Sequence, residues 1–276
     1  MSFTTWISNP KIQLEDLKLK TKVQSYRFGR RVYTFQVEQQ CYWLKFHKLG
    51  THPLLEQAFL RELVFYQQFA QAKQTFLLPY QIIPLSDVAT DLDFAGVEQG
   101  LLSVNSDVYF SDINMFRDID TIKQKILSAL DVVEALHQIG WIHGDLKTEH
   151  FRLYEYSCKL IDFEQSFRIG QPIQTLDATP HYMAPELFHG VGKSIQSDLY
   201  ALGIIVYEWL TQSRLKATTY HDWAVLHCQQ LQIQLPIEFE LFLPLLNGLT
   251  QKYVKQRFNS VLAAKNSLNA IDLSQK

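Results

Sequence analysis

Cysteine is scarce in this chain of 276 residues: there are three, Cys41, Cys158 and Cys228. They form neither a metal-ligand spacing nor an even framework, so a zinc module and a disulfide-stapled scaffold are both excluded, and the three read as packing residues in a reducing compartment. Charge of either sign is not in excess, with a formal net charge of -2. Nothing global therefore points to nucleic acid or an anionic membrane. Long apolar runs are missing as well. The most apolar helical stretch, Ala201 to Leu210, is interrupted by Glu208 and is too short to span a bilayer. The first ten residues lack a basic segment followed by an apolar run, so no signal peptide is expected. No internal repeat, low-complexity tract or linker is visible. The expectation is a soluble, cytoplasmic protein without a transmembrane segment.

What is present is ordinary globular composition, 47% hydrophobic with 11 Gly and 9 Pro, enough for one large domain or two lobes with a sizeable core. Val23–Phe28, Val32–Val37 and Cys41–Phe46 are rich in β-branched and aromatic residues and predict an antiparallel meander, turned at Gly29-Arg30 and at Gln39-Gln40. Leu54 to Ala70 carries apolar residues near the helical period, after Pro53 at a position that a first helical turn tolerates. Arg61 and Glu62 lie on the flank of its apolar stripe. Tyr80–Leu85 and Gly100–Asn105 are two further strand candidates, separated by the acidic Asp87–Asp93 loop. Residues 1–106 are thus expected to form a small lobe of five strands and one helix, and 107–276 a larger, mostly helical lobe.

In that second part, Asp120–Gln138 is a marked amphipathic helix with Ile122, Ile126, Leu130, Val133 and Leu136 on one side, ended by Gly140. Two loops follow, each bordered by short apolar runs that read as buried strands: Trp141-Ile142-His143-Gly144-Asp145-Leu146-Lys147-Thr148-Glu149-His150-Phe151, and Lys159-Leu160-Ile161-Asp162-Phe163-Glu164. A base at Asp145 would accept a hydroxyl proton, and a carboxylate at Asp162 would hold a metal on a phosphate chain. Gln165–His181 is a polar, irregular stretch. Ser197–Thr211 predicts a helix buried on nearly all sides, and Tyr220–Leu268 three more helices.

Over residues 20–270 these features resemble the protein kinase superfamily. His143-Gly144-Asp145-Leu146-Lys147 is similar to its catalytic loop, and Asp162-Phe163-Glu164 to its metal-binding segment. Thr179-Pro180-His181-Tyr182-Met183-Ala184-Pro185-Glu186 resembles the end of the activation segment in serine/threonine kinases. Ser197-Asp198-Leu199-Tyr200-Ala201-Leu202-Gly203 resembles the buried helix below it, and Tyr42-Trp43-Leu44-Lys45 the strand of the phosphate-gripping lysine. The resemblance implies an α+β, two-lobed fold with a small antiparallel sheet lobe and a mostly helical one. It also implies transfer of the γ-phosphoryl group of ATP, with Mg²⁺ or Mn²⁺, to a protein serine or threonine. Lys45, held by Glu62, would neutralise the α- and β-phosphates. Asp145 would be the base, Lys147 would steady the γ-phosphate, and Thr179 would bond both and help select the acceptor. Asp198 would tie down the catalytic-loop backbone, and Arg257 would pair with Glu186 in the interior. His143, Phe163 and Tyr66 would form a stacked column between the lobes.

The chain also departs from the family pattern. Only Gly29 stands where the phosphate-covering loop has several glycines, and its neighbours Arg27, Arg30 and Arg31 read either as charge facing phosphates or as a solvated hairpin. His150 replaces the asparagine that ligates a second magnesium, a poorer donor for a hard cation. Glu164 replaces glycine and offers an extra oxygen ligand, so the expected metal set is Asp162, His150 and Glu164. Trp43 stands where alanine packs over adenine, and Arg152 stands below it, either sandwiching the base or stacking together and filling its place. Gly144 replaces the arginine that binds a phosphorylated activation segment. Several of these changes resemble the bacterial lipopolysaccharide-core sugar kinases. Three readings follow: a serine/threonine protein kinase, a nucleotide-poor pseudokinase that serves a partner, and a kinase for a sugar or another small hydroxylated acceptor.

Overall fold

A computed structural model describes residues 12–13, 15–37, 39–71, 74–89, 94, 96–113, 118–171 and 178–271. They divide into two compact units. One holds the described residues up to Asp107 together with Asp162–Glu164, and the other holds Val108–Ile161 and the described residues from Gln165 onward. Parts of the 87–93 loop and of the 165–181 stretch lie outside the described residues.

The first unit is a five-stranded antiparallel sheet with strands β1 (Glu15–Leu19), β2 (Arg30–Val37), β3 (Gln40–His47), β4 (Tyr80–Pro84) and β5 (Gln99–Val104), in the order β1-β2-β3-β5-β4. Strands β2 and β3 form a long hairpin in which Val32 pairs with Lys45 and Val37 with Gln40. Phe35, Leu44, Phe46 and Leu102 alternate onto the buried face. Helix α2 (Pro53–Gln68) lies on the other face, that of Lys45, and buries Phe59, Leu63, Phe65 and Tyr66. Each such side chain contributes about 1.5–3 kcal/mol on full burial. The carboxylate Glu62 lies in this same face, 1% exposed, rather than on its flank.

The first strand is not where the β-branched pattern placed it. Val23–Arg27 is a short helix, α1, and the partner of β2 is the charged segment Glu15–Leu19. Two local interactions decide this. The Tyr26 amide closes a helical turn on the Lys22 carbonyl, and Arg31 both donates to the Tyr26 carbonyl at 2.7 Å and lies over its ring at 3.4 Å. Val23 is the only β-branched residue of the five, so little opposes the turn. Gly29, with φ +96°, does not make the expected hairpin. It leads from α1 into β2, where a side chain would meet Thr51 Oγ1 at 2.0 Å.

The second unit is built on α3 (Ile119–Gln138), whose Ile122, Ile126, Leu130, Val133 and Leu136 are all buried. Asp118 caps its start by accepting from the Thr121 amide at 2.7 Å. Then come β6 (Trp141–Ile142), the antiparallel hairpin β7 (Phe151–Tyr154) and β8 (Ser157–Leu160), and β9 (Phe167–Arg168), which pairs back to β6. Helix α4 (Pro185–Phe188) precedes α5 (Ile195–Thr211), which starts in a Ser194–Ser197 capping box and is buried on nearly every side. Helices α6 (Tyr220–Val225), α7 (Leu243–Thr250) and α8 (Val261–Asn269) complete it, with Leu245, Leu249 and Leu268 in the core. Among the described residues no helix is long and apolar enough to cross a membrane.

Two buried polar links hold this unit. Arg257 grips Glu186 in a bidentate pair at 2.8 and 2.9 Å and also donates to the Gln196, Gln251 and Lys252 carbonyls. Replacing Arg257 by Met strands the Glu186 carboxylate, a cost of about 3–5 kcal/mol. The expected outcome is a loss of that size in urea unfolding; an unchanged midpoint would show the pair to be dispensable.

His227, below α4, donates from Nε2 to the His181 carbonyl at 3.1 Å and accepts the Tyr200 hydroxyl at Nδ1, 2.8 Å away. Burial pushes its pKa down to about 4, although the His181 carbonyl favours the charged ring. The folded value lies below the unfolded one, so the unfolded chain takes up the proton first. Stability is therefore lost as pH falls from about 6.5 towards 4, by up to about 3 kcal/mol from this ring. Urea midpoints at pH 7 and 4.5 should converge for His227→Gln relative to wild type; an equal acid loss in both would exclude His227 as its source.

Candidate active site

The sheet unit builds one group of charges. Lys45 projects from the centre of β3, between Val32 on β2 and Leu101 on β5. Its ammonium lies 2.7 Å from each of three carboxylates: Glu62 on α2, Asp162 and Glu164. Burial alone would lower the lysine pKa, but Asp162, Glu164 and Glu62 outweigh it and raise it, so the ammonium stays charged. Burial and the neighbouring acids push the Glu62 carboxyl up, against the pull of Lys45.

The segment carrying the other two acids is tied to the same elements. The Phe163 amide donates to Glu62 at 3.0 Å, and the Phe163 ring stacks on Phe65 with centroids 4.0 Å apart and meets Tyr66 edge-on. Oxygen atoms of Glu62, Asp162 and Glu164 lie within 4.8 Å of one another. Three hard oxygen donors of this kind suit Mg²⁺ or Mn²⁺. Trp43 is two residues before Lys45 and so on the same face of β3. Its indole N–H donates to Asn105 at 2.7 Å, a partner that the sequence did not disclose.

The helical unit builds the second group. Asp145 lies between β6 and a single 3₁₀ turn, Thr148–His150. Its Oδ1 accepts from the Thr179 amide at 3.1 Å and from the Thr179 hydroxyl at 2.9 Å, and its Oδ2 pairs with Lys147 at 2.8 Å. The carboxylate is thus fixed by one backbone and two side-chain donors. Below it, buried Asp198 on α5 accepts the amides of His143 and Gly144 at 2.8 and 2.9 Å and bonds His137 of α3 at 2.9 Å. Burial pushes the Asp198 carboxyl up, yet these donors, His137 first, hold it below the ordinary value. His137 is a member of this brace that sequence reading missed; only contact between α3 and α5 reveals it.

Gly144 has φ +78°, and a Cβ there would meet the Gln165 carbonyl at 2.7 Å, so glycine fits where the resemblance expects arginine. His143 is fully buried. It donates to the Ile161 carbonyl at 3.1 Å, and burial, with help from His150, lowers its pKa to about 4, so it braces the loop as a neutral ring. His150 is buried in the same unit with its ring 5.5 Å from that of His143. The three-carboxylate group of the sheet unit does not include it. Arg152 is half-buried on β7, paired with Lys159 on β8. A cavity of about 550 Å³ opens beside the Asp145 loop, lined by Thr148, Glu149, Tyr182, Glu208, Trp209 and Arg214 among others.

The arginines after α1 are not a solvated hairpin. Arg31 is buried against Tyr26, and Arg30 pairs with Glu164. Only Arg27 is exposed.

Parts of the chain are similar to known proteins. The chain is 38% identical over 97 residues to cGMP-dependent protein kinase 2 of Homo sapiens, covering 34% of this chain and 13% of that protein. It is 38% identical over 84 residues to cGMP-dependent protein kinase of Plasmodium berghei, covering 30% and 10%. It is 34% identical over 80 residues to Serine/threonine-protein kinase DCLK1 of Rattus norvegicus, covering 27% and 18%. The chain spans less than a fifth of the length of these relatives. The model of the protein kinase domain matches residues 97–267, from just before β5 into α8. Because that match runs over more than half of the 276 residues and takes in both acid-bearing loops, the chain belongs to the protein kinase family.

Proposed function

We propose that this chain transfers the γ-phosphoryl group of ATP to a serine or threonine hydroxyl of a protein. The observation that carries the reading is the hold on Asp145, between Thr179 on one oxygen and Lys147 on the other. A carboxylate so oriented can accept the proton of an acceptor hydroxyl as its oxygen attacks phosphorus. Lys147, on the opposite oxygen, supplies positive charge for the γ-phosphate. Thr179 belongs to the segment that resembles peptide-accepting kinases, and it contacts the base directly. The cavity beside Thr148 and Tyr182 gives room for an acceptor side chain.

In the sheet unit, Lys45 neutralises the α- and β-phosphates, and Glu62 keeps its ammonium in place when phosphate oxygens replace the other carboxylates. Trp43, anchored by Asn105, would pack on the adenine. Asp162 and Glu164 would hold a Mg²⁺ or Mn²⁺ ion. That ion, when bound, neutralises charge on the phosphate oxygens.

One observation favours a second reading, a pseudokinase that serves a partner: Lys45 is already shared by three carboxylates. The two readings separate in two measurements. Mg²⁺–ATP should raise the melting temperature of the wild-type protein, and no shift with either Mg²⁺ or Mn²⁺ would favour the binding module. Asp145→Asn should keep that shift yet cut phosphate transfer to protein at least about a hundredfold. Equal labelling by the variant and the wild type would remove Asp145 as the base.

A further inference from the structure

Glu164, the residue standing in place of glycine, is 6% exposed, and its carboxylate is divided between two cations. Its Oε1 lies 2.7 Å from Lys45 Nζ, and its Oε2 accepts from the Arg30 guanidinium. Its backbone carbonyl accepts from Arg61 Nε at 3.3 Å. Two residues earlier, Asp162 has φ +67°, a left-handed conformation that is unfavourable for a residue with a Cβ. A strained residue keeps such a conformation only where its surroundings over-determine it. Here three elements do so: β2 through Arg30, β3 through Lys45, and α2 through Arg61, Glu62 and Phe65.

Arg30 is the part of this clamp with no counterpart in the roles assigned above. Without it, three buried or half-buried carboxylates would share the single ammonium of Lys45. Glu164 would then compete fully for the cation that Asp162 also uses. With it, Glu164 has a cation of its own, and Lys45 is released in part to Glu62 and Asp162. Arg30 sits at the first position of β2, directly after the Gly29 turn, so its backbone is fixed by the β2–β3 ladder.

We propose that Arg30 is a positioning residue that latches the Asp162-Phe163-Glu164 turn through Glu164, keeping Asp162 on Lys45 and the metal-binding oxygens assembled before nucleotide arrives. Its consequence for phosphate transfer rests on the function proposed above, but the latch itself is a property of the nucleotide-free chain.

Hydrogen exchange at the amides of residues 161–165 tests it in the nucleotide-free full chain, comparing wild type with Arg30→Met, Glu164→Gln and the double variant. Each single change should speed exchange at Phe163 and Glu164 about tenfold or more. The double variant should be no faster than the worse single one, because both remove the same bond. Arg30→Lys should retain most of the protection. In transfer assays, Arg30→Met should raise the Mg²⁺ concentration for half-maximal rate several-fold with a smaller change in kcat, and Arg30→Lys should restore it; a purely structural role would leave that midpoint alone. Unchanged exchange in an Arg30→Met protein that melts like wild type would overturn the latch, and so would additive single effects. If Arg30→Met does not fold, Arg30→Lys and Glu164→Gln carry the same comparison. A wild-type protein that transfers no phosphate while exchange follows the expected pattern would sink the function alone and leave the latch standing.

Discussion

A buried charge must be paired or it will not stay buried, and the sheet unit is arranged around that requirement. Lys45 enters from a strand paired on both sides, with its side chain only 16% exposed. Glu62 arrives from α2, and Asp162 and Glu164 from a turn that belongs, by its contacts, with the sheet. The position of α2 on the sheet, the stacking of Phe163 on Phe65 and the course of the 162–164 turn are all conditions for keeping this ammonium compensated. The same arrangement gathers the oxygens of three carboxylates at one point, the donor chemistry that a hard divalent cation takes.

The helical unit meets a different constraint. Asp145 must face outward with a fixed orientation, so its loop cannot rely on packing alone. The solution is a second carboxylate beneath it: Asp198 accepts two successive loop amides, and His137 from α3 completes its hydrogen bonding. Gly144 supplies the left-handed backbone that lets both amides point at one acid. Above, Thr179 and Lys147 complete the hold. The activation segment's end is secured by its own buried pair, Glu186 with Arg257, so the residue before Pro180 reaches Asp145 from a rigid base.

The departures from the family pattern look different once their partners are known. Glutamate in place of glycine brings a charge into the interior, and arginine at the start of β2 matches it. Glycine in place of arginine beside the base removes a cation from the loop, and the tight approach of the Gln165 carbonyl shows why a larger residue is poorly accommodated there. Tryptophan before the lysine comes with Asn105 to orient its indole. Two of these changes, at Glu164 and at Trp43, sit with a polar partner distant in sequence.

Much of this was legible in the residues. The amphipathic pattern of α3, the all-round apolar character of α5, the β2–β3 hairpin and the two acid-bearing loops follow from periodicity and local chemistry, which act over a few residues. The identities of Lys45, Glu62, Asp145, Asp162 and Thr179 as candidates come from the resemblance. Val23–Phe28 was misread because strand propensity is weak over six residues and a single tyrosine–arginine contact outweighs it. The edge strand of the five-stranded sheet, Glu15–Leu19, carries the charges of a sheet edge and has no hydrophobic alternation to announce it. Asn105, His137 and the bond from Arg30 to Glu164 had no signal in the sequence at all. They join residues 62, 61 and 134 positions apart, and which polar groups meet at such separations is settled only when the chain closes and each buried charge must find a partner. The sequence by itself determined most of the elements and the candidate residues, because those follow from local periodicity and motif; tertiary structure decided how their charges are shared.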